Sequence, residues 1–185
     1  MPNETQKPAD DGILIESDTS LAPDLVDQVI EKWQATPLRD LDFTGTEIIG
    51  RIVRMDSFIS KMIDENLSRY RINFGDFNIL AVLLREENHQ LTPGRIQELI
   101  FVSSGGLSNR MIRLEAKGLI KRSTDPKDRR GVIVTLTEEG KALIEKVAPT
   151  HIALENSLIT HLSDEERHIF IKLLKKTLYH AEKMS

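Results

Sequence analysis

The chain has 185 residues, with 25 basic and 29 acidic side chains, one tryptophan and no cysteine. That length suits one domain, or two small ones sharing a core, and needs no covalent or metal staple to bury enough surface. Zero cysteine excludes a disulfide scaffold, a thiolate zinc site, a Cys nucleophile and a thiol redox switch. The longest run without a polar residue, Ile79 to Leu84, is far short of the ~20 residues a membrane span requires. Glu4, Asp10 and Asp11 do not fit the basic-then-apolar build of a signal peptide. A soluble cytoplasmic protein without membrane contact is expected.

In chain order, residues 1 to 22 are polar and acidic, apart from Ile13, Leu14 and Ile15, and read as a mobile tail. Leu25, Val26, Val29, Ile30 and Trp33 fall on one face of a short helix from Asp24 to Trp33, between Pro23 and Pro37. Thr44 and Glu47 have capping-box spacing, so a long helix should start there. Its stripe includes Ile48, Ile52, Met55, Phe58, Ile59, Met62, Ile63 and Leu67, broad enough to touch more than one neighbour. Asn73 can cap the next helix, Phe74 to about Glu87, before a loop at Asn88-His89-Gln90.

Thr92-Pro93 places an N-cap before proline at the first helical position. This helix should stop near Phe101. Ser103 and Ser104 can cap a second helix running to Lys117, with Gly118 as a left-handed C-cap. The pair makes a helix-turn-helix. Leu119 to Thr124 and Val132 to Leu136 have strand composition around a charged turn, so a hairpin follows at once. Thr137-Glu138-Glu139 opens another helix, with Leu143, Val147, Leu154, Leu158 and Leu162 as apolar positions and Pro149 expected to bend or interrupt it. Ser163 and Glu166 form a second capping box, starting a final amphipathic helix to about Glu182. The fold class is therefore mainly α with a small β-hairpin wing: a winged helix-turn-helix flanked by other helices.

Charge is unevenly spread. Residues 1–50 hold 3 basic and 11 acidic groups, whereas residues 92–131 hold 9 basic and 4 acidic. A local basic excess in an acidic chain is the usual footprint of a polyanion-binding element, although a solvated surface patch has the same composition. Projected at 100° per residue, the second helix of the pair turns Leu107, Met111 and Leu114 inward and Asn109, Arg113 and Ala116 outward. Arg113 can bind guanine bidentately and Asn109 adenine, each worth about 1–3 kcal/mol of discrimination. Arg110 joins them as a candidate contact. Ser103, Ser104 and Ser108 read as phosphate contacts or caps, and Gly105 and Gly106 let a phosphate or base edge approach the backbone. At the hairpin tip Arg129 and Arg130 are adjacent, so the chain should direct them differently, one toward solvent or phosphate and one inward or into a groove, where an arginine reads shape and negative potential; an ordinary charged hairpin tip has the same composition. Asp128 beside them orients an arginine.

The string LEAKGLIKRSTDPKDRRGVIVTLTEEG, Leu114 to Gly140, and the closing SDEERHIFIKLLKKTL, Ser163 to Leu178, resemble the MarR-type winged-helix transcription regulators. The likeness extends over residues 44 to 183. It implies a homodimer with interleaved terminal helices, whose two lobes read successive major grooves of pseudo-palindromic double-stranded DNA, most simply as a repressor. It also implies that Asp128 and Arg130 match the family's D-x-R wing element, with the arginine in the minor groove. A small aromatic or phenolic ligand is a further implied partner, at a region lined here by Arg51, Met55, Phe58, Met62 and Phe77, although each of these residues, taken singly, reads more readily as core. The expected organisation is an acidic tail (1–22), an extension with the first dimerisation helix (23–72), the DNA-binding domain (73–137) and C-terminal dimerisation helices (138–185). The acidic extension before Thr44 and the bare Gly105-Gly106 pair depart from the family pattern.

Two rival classes remain. An enzyme is disfavoured because His89, His151, His161, His168 and His180 lie in separate segments without metal or triad spacing, so no catalytic residue, metal site or cofactor is expected. A winged helix used only for protein contacts needs neither the basic segment nor the arginine pair. A steep salt dependence of DNA affinity separates that reading from a DNA-binding one.

Overall fold

A computed structural model describes residues 21–100, 104–126, 128 and 131–184. The tail expected at residues 1–22 falls almost wholly outside them, as do Ser103, Arg129 and Arg130. The described elements are α1 (Leu25–Gln34), α2 (Thr44–Ser68), α3 (Phe74–Arg85), a 3-10 turn (Glu87–His89), β1 (Gln90–Leu91), α4 (Pro93–Ile100), α5 (Ser104–Ala116), β2 (Ile120–Thr124), β3 (Val132–Leu136), α6 (Glu138–Ser157) and α7 (Asp164–Met184). The chain divides into two compact units, residues 1–56 and 57–185.

In the first unit α1 opens on a capping box absent from the sequence reading. The Asp24 carboxylate accepts from the amides of Val26 (2.7 Å) and Asp27 (3.1 Å), and Asp27 accepts from the Asp24 amide (2.8 Å). Arg51 of α2 then donates to both carboxylates, Nε to Asp24 at 3.0 Å and Nη2 to Asp27 at 2.6 Å. Gly50 lets α1 approach, since a Cβ there would lie 3.3 Å from Val26 Cγ1. The capping box expected at Thr44 and Glu47 is not formed. Thr44 is itself the first helical residue, its amide donates to the Asp42 carboxylate at 2.9 Å, and the Glu47 amide goes to the Phe43 carbonyl. An Asx interaction from two residues earlier has displaced the threonine from the cap.

The second unit is built around α3. A helix apolar on nearly all sides must be enclosed, and Ile79, Leu80, Val82 and Leu83 are all buried. Ile96 of α4, Leu114 of α5, Ile120 and Val134 of the strands, and Ile144 and Val147 of α6 close around them. Each such side chain contributes about 1.5–3 kcal/mol of transfer free energy. Asn73 caps α3 in a capping box with Asp76. The helix ends at Arg85, short of the expected Glu87, because Asn88 and His89 turn the chain with φ of 62° and 52°.

The hairpin β2–β3 forms in antiparallel register, with Lys121 opposite Thr135 and Ser123 opposite Ile133. It belongs to a three-stranded sheet in the order β1-β3-β2, because Gln90 and Leu91 pair with Thr135 and Val134. Helix α6 continues through Pro149 without interruption to Ser157, so Leu158 and Leu162 lie beyond it. Burial of Ile144, Val147 and His151 on either side of the proline holds the helix together. The capping box of Ser163 and Glu166 is present: each backbone amide donates to the other's side chain, at 2.7 and 3.2 Å.

Candidate nucleic-acid interface

Helices α4 and α5 form the expected helix-turn-helix. Thr92 accepts from the Arg95 amide at 3.2 Å, and Gly118, with φ of 71°, ends α5 in the left-handed region where a glycine carries no Cβ penalty. Leu107, Met111 and Leu114 are buried, as the projection requires. Ser104 begins the helix, Gly105, Ser108, Asn109 and Ala116 are exposed, and Gly106 is half-buried. A Cβ at Gly105 would meet nothing within 4 Å, so the space above that glycine is open.

The basic side chains of α5 reach to neighbouring elements along its flanks, and Arg113 is exposed as the projection requires. Arg113 Nη2 donates to Asp76 Oδ1 at 2.5 Å, and Asp76 is 1% exposed while Arg113 keeps 43%. Lys117 Nζ lies 4.0 Å from the other Asp76 oxygen and donates to the Arg71 carbonyl at 2.8 Å. Asp76 therefore caps the start of α3 and anchors α5 at the same time. The Arg110 guanidinium packs over Gly75, so closely that a Cβ there would collide with it. On the other flank Glu115 accepts from the Arg122 backbone amide at 3.1 Å and from its guanidinium Nε at 2.8 Å, tying α5 to β2. The Arg122 hydrogen bond holds the Glu115 carboxyl below the usual carboxylate range, and the same bond raises Arg122.

At the wing, Asp128 is exposed and its carbonyl accepts from the Gly131 amide at 2.7 Å. The ligand candidates are distributed over both units. Arg51 and Met55 belong to the first, where the Arg51 guanidinium is engaged by Asp24 and Asp27. In the second, Phe58 and Met62 are exposed and Phe77 is buried, its ring 4.3 Å from that of His151. Sequence reasoning missed Asp76, Glu115 and the exposed Ile112. Only Ile112 had a visible signal, an apolar residue on the outward face of the projection.

The MarR family model matches residues 72–131, which span α3 to the wing. The regulator PecS of Dickeya dadantii is 30% identical over 156 residues, covering 84% of this chain and 93% of PecS. The chain belongs to the MarR family. Solved MarR-family folds agree: AbsC of Streptomyces coelicolor superposes with a TM-score of 0.71 at 25% identity, covering 77% of this chain and 97% of AbsC. A MepR–DNA complex from S. aureus gives a TM-score of 0.66 at 27% identity, covering 71% and 96% of the two chains.

Proposed function

We propose that this MarR-family chain is a DNA-binding transcriptional repressor that acts as a homodimer on a pseudo-palindromic operator and is released by a small aromatic or phenolic ligand. The observation that carries the reading is α5 itself. It is pinned on one flank to Asp76 and on the other to Arg122, and it presents the outward row Ser108, Asn109 and Ala116 beside a hairpin. A rigid helix with an accessible polar face is what base readout in a major groove needs. The basic excess of residues 92–131 supplies the phosphate attraction.

Two such helices reach successive major grooves when a dimer spaces them by about 34–36 Å. Bound across a promoter, that dimer excludes other proteins from the duplex. A ligand relieves repression only if it binds better to a form of the dimer that does not fit the operator. Phe58 and Met62 offer it accessible apolar side chains.

The test is selection of bound sequences from a random duplex pool, followed by a salt titration of the winning duplex. A palindromic consensus and a steep fall of affinity with salt are expected. Arg130→Ala should lower affinity strongly with the fold unchanged, and an unaltered gel shift removes the wing from the interface. Displacement of the duplex by aromatic acids such as salicylate checks the ligand arm.

A further inference from the structure

Around the circumference of α5 every charged side chain is turned to a flank. Arg110 faces Gly75, Arg113 and Lys117 face Asp76, and Glu115 faces Arg122. The strip left outermost runs Gly105, Ser108, Asn109, Ile112 and Ala116 and carries no charge. Ile112, 54% exposed, lies at its centre, opposite the buried Leu107, Met111 and Leu114. A lone exposed isoleucine is ordinary on a protein surface. Its place here, on the outermost line of the recognition helix with Ala116 one turn further on, is what gives it meaning.

The one apolar group on a base edge in the major groove is the C5-methyl of thymine. Resting on the DNA-binding reading above, we infer that Ile112 is a specificity-determining residue that recognises a thymine methyl, with Ala116 extending the same apolar strip. The β-branched side chain is stiff at χ1, so little rotamer freedom is lost on contact. The two clamps fix the helix that carries it. Asn109 lies three residues earlier, roughly 4.5 Å along the axis, so its amide and the Ile112 methyls address base pairs one or two steps apart. Each half-site should then contain an adenine read by Asn109 and, one or two base pairs away, a thymine whose methyl touches Ile112.

The experiment takes the best duplex selected from the random pool and replaces its thymines one at a time by deoxyuridine, which removes the methyl and leaves Watson–Crick pairing intact. The full chain should lose about four-fold in affinity at one thymine per half-site, the value of one buried methyl-sized group. Ile112→Ala should bind the thymine and uracil duplexes equally, with an unchanged salt slope because no phosphate contact is lost. Circular dichroism of the variant should match the parent, since the side chain is exposed. If the parent binds the duplex but ignores every uracil substitution, or if Ile112→Ala keeps the parent's thymine preference, the inference is overturned and the DNA-binding reading stands. If no duplex is bound at low salt, that reading falls and the inference with it.

Discussion

Asp76 shows how one buried carboxylate can set the position of a whole helix. Its backbone amide is capped by Asn73, its carboxylate receives Arg113, and Lys117 stands 4.0 Å away. Removing Arg113 strands a buried charge, whereas removing Lys117 leaves the shorter of the two ion pairs in place. Arg113→Ala should therefore cost about 1–3 kcal/mol, below the range for fully buried pairs because the guanidinium is partly solvated. Lys117→Met should cost well under that, and Asp76→Asn should make the Arg113 deletion cheaper. Urea midpoints of the two singles and the double variant measure this coupling directly. Equal losses from Arg113→Ala and Lys117→Met would contradict the anchor. The helical wheel placed Arg113 on the accessible side, and it is accessible. What the wheel could not contain was a partner 37 residues earlier, because tertiary pairing has no periodicity to read.

Between elements, the close approaches are governed by glycines and ion pairs. Gly140 sits at the start of α6 beneath the Leu119 carbonyl, which also accepts from the Thr137 amide at 3.2 Å. A Cβ at Gly140 would drive into that backbone oxygen, while one at Gly75 would meet only the flexible end of Arg110. Gly140→Ala should cost about 1–3 kcal/mol or more, lowering Tm by several degrees, and Gly75→Ala should stay within about 0.5 kcal/mol. The Glu115–Arg122 pair adds a pH signature. A carboxyl held below its unfolded value stabilises the fold wherever the unfolded group is ionised, above about pH 4.3, and that stabilisation is lost as the pH drops through the folded value. Arg122→Met should therefore flatten the dependence of the urea midpoint on pH between about 5 and 3. Element starts and ends were legible where a cap or a glycine marks them, as at Asn73, Gly118 and Ser163. The capping box at Asp24 and Asp27 and the two-residue β1 were not, the first because Asp at N3 is a less distinctive signal than Glu, the second because a strand so short exists only through its pairing with β3.

At the scale of the molecule, α7 is the element least explained by a single chain. It is 21 residues long and contains no buried residue, yet Phe170, Leu173, Leu174 and Leu178 line up on one stripe, all exposed. The acidic start and the Ser163–Glu166 capping box favour the helix locally. Helices in proteins nevertheless draw most of their stability from covering an apolar face. Helix α2 also leaves Ile48, Ile49, Val53 and Phe58 exposed. In the homodimer proposed above, a second copy would cover the α7 stripe under two-fold symmetry, since both partners offer the same one. Sedimentation equilibrium should accordingly return twice the 21.0 kDa chain mass. Replacing Leu173 and Leu174 together by aspartate should shift the mass to one copy, reduce helicity through melting of α7, and weaken operator binding by far more than the loss of any one base contact, because the second half-site is no longer held in register. A double variant that remains dimeric with full operator affinity would remove α7 from the interface and with it the dimer geometry on which the two-groove reading depends.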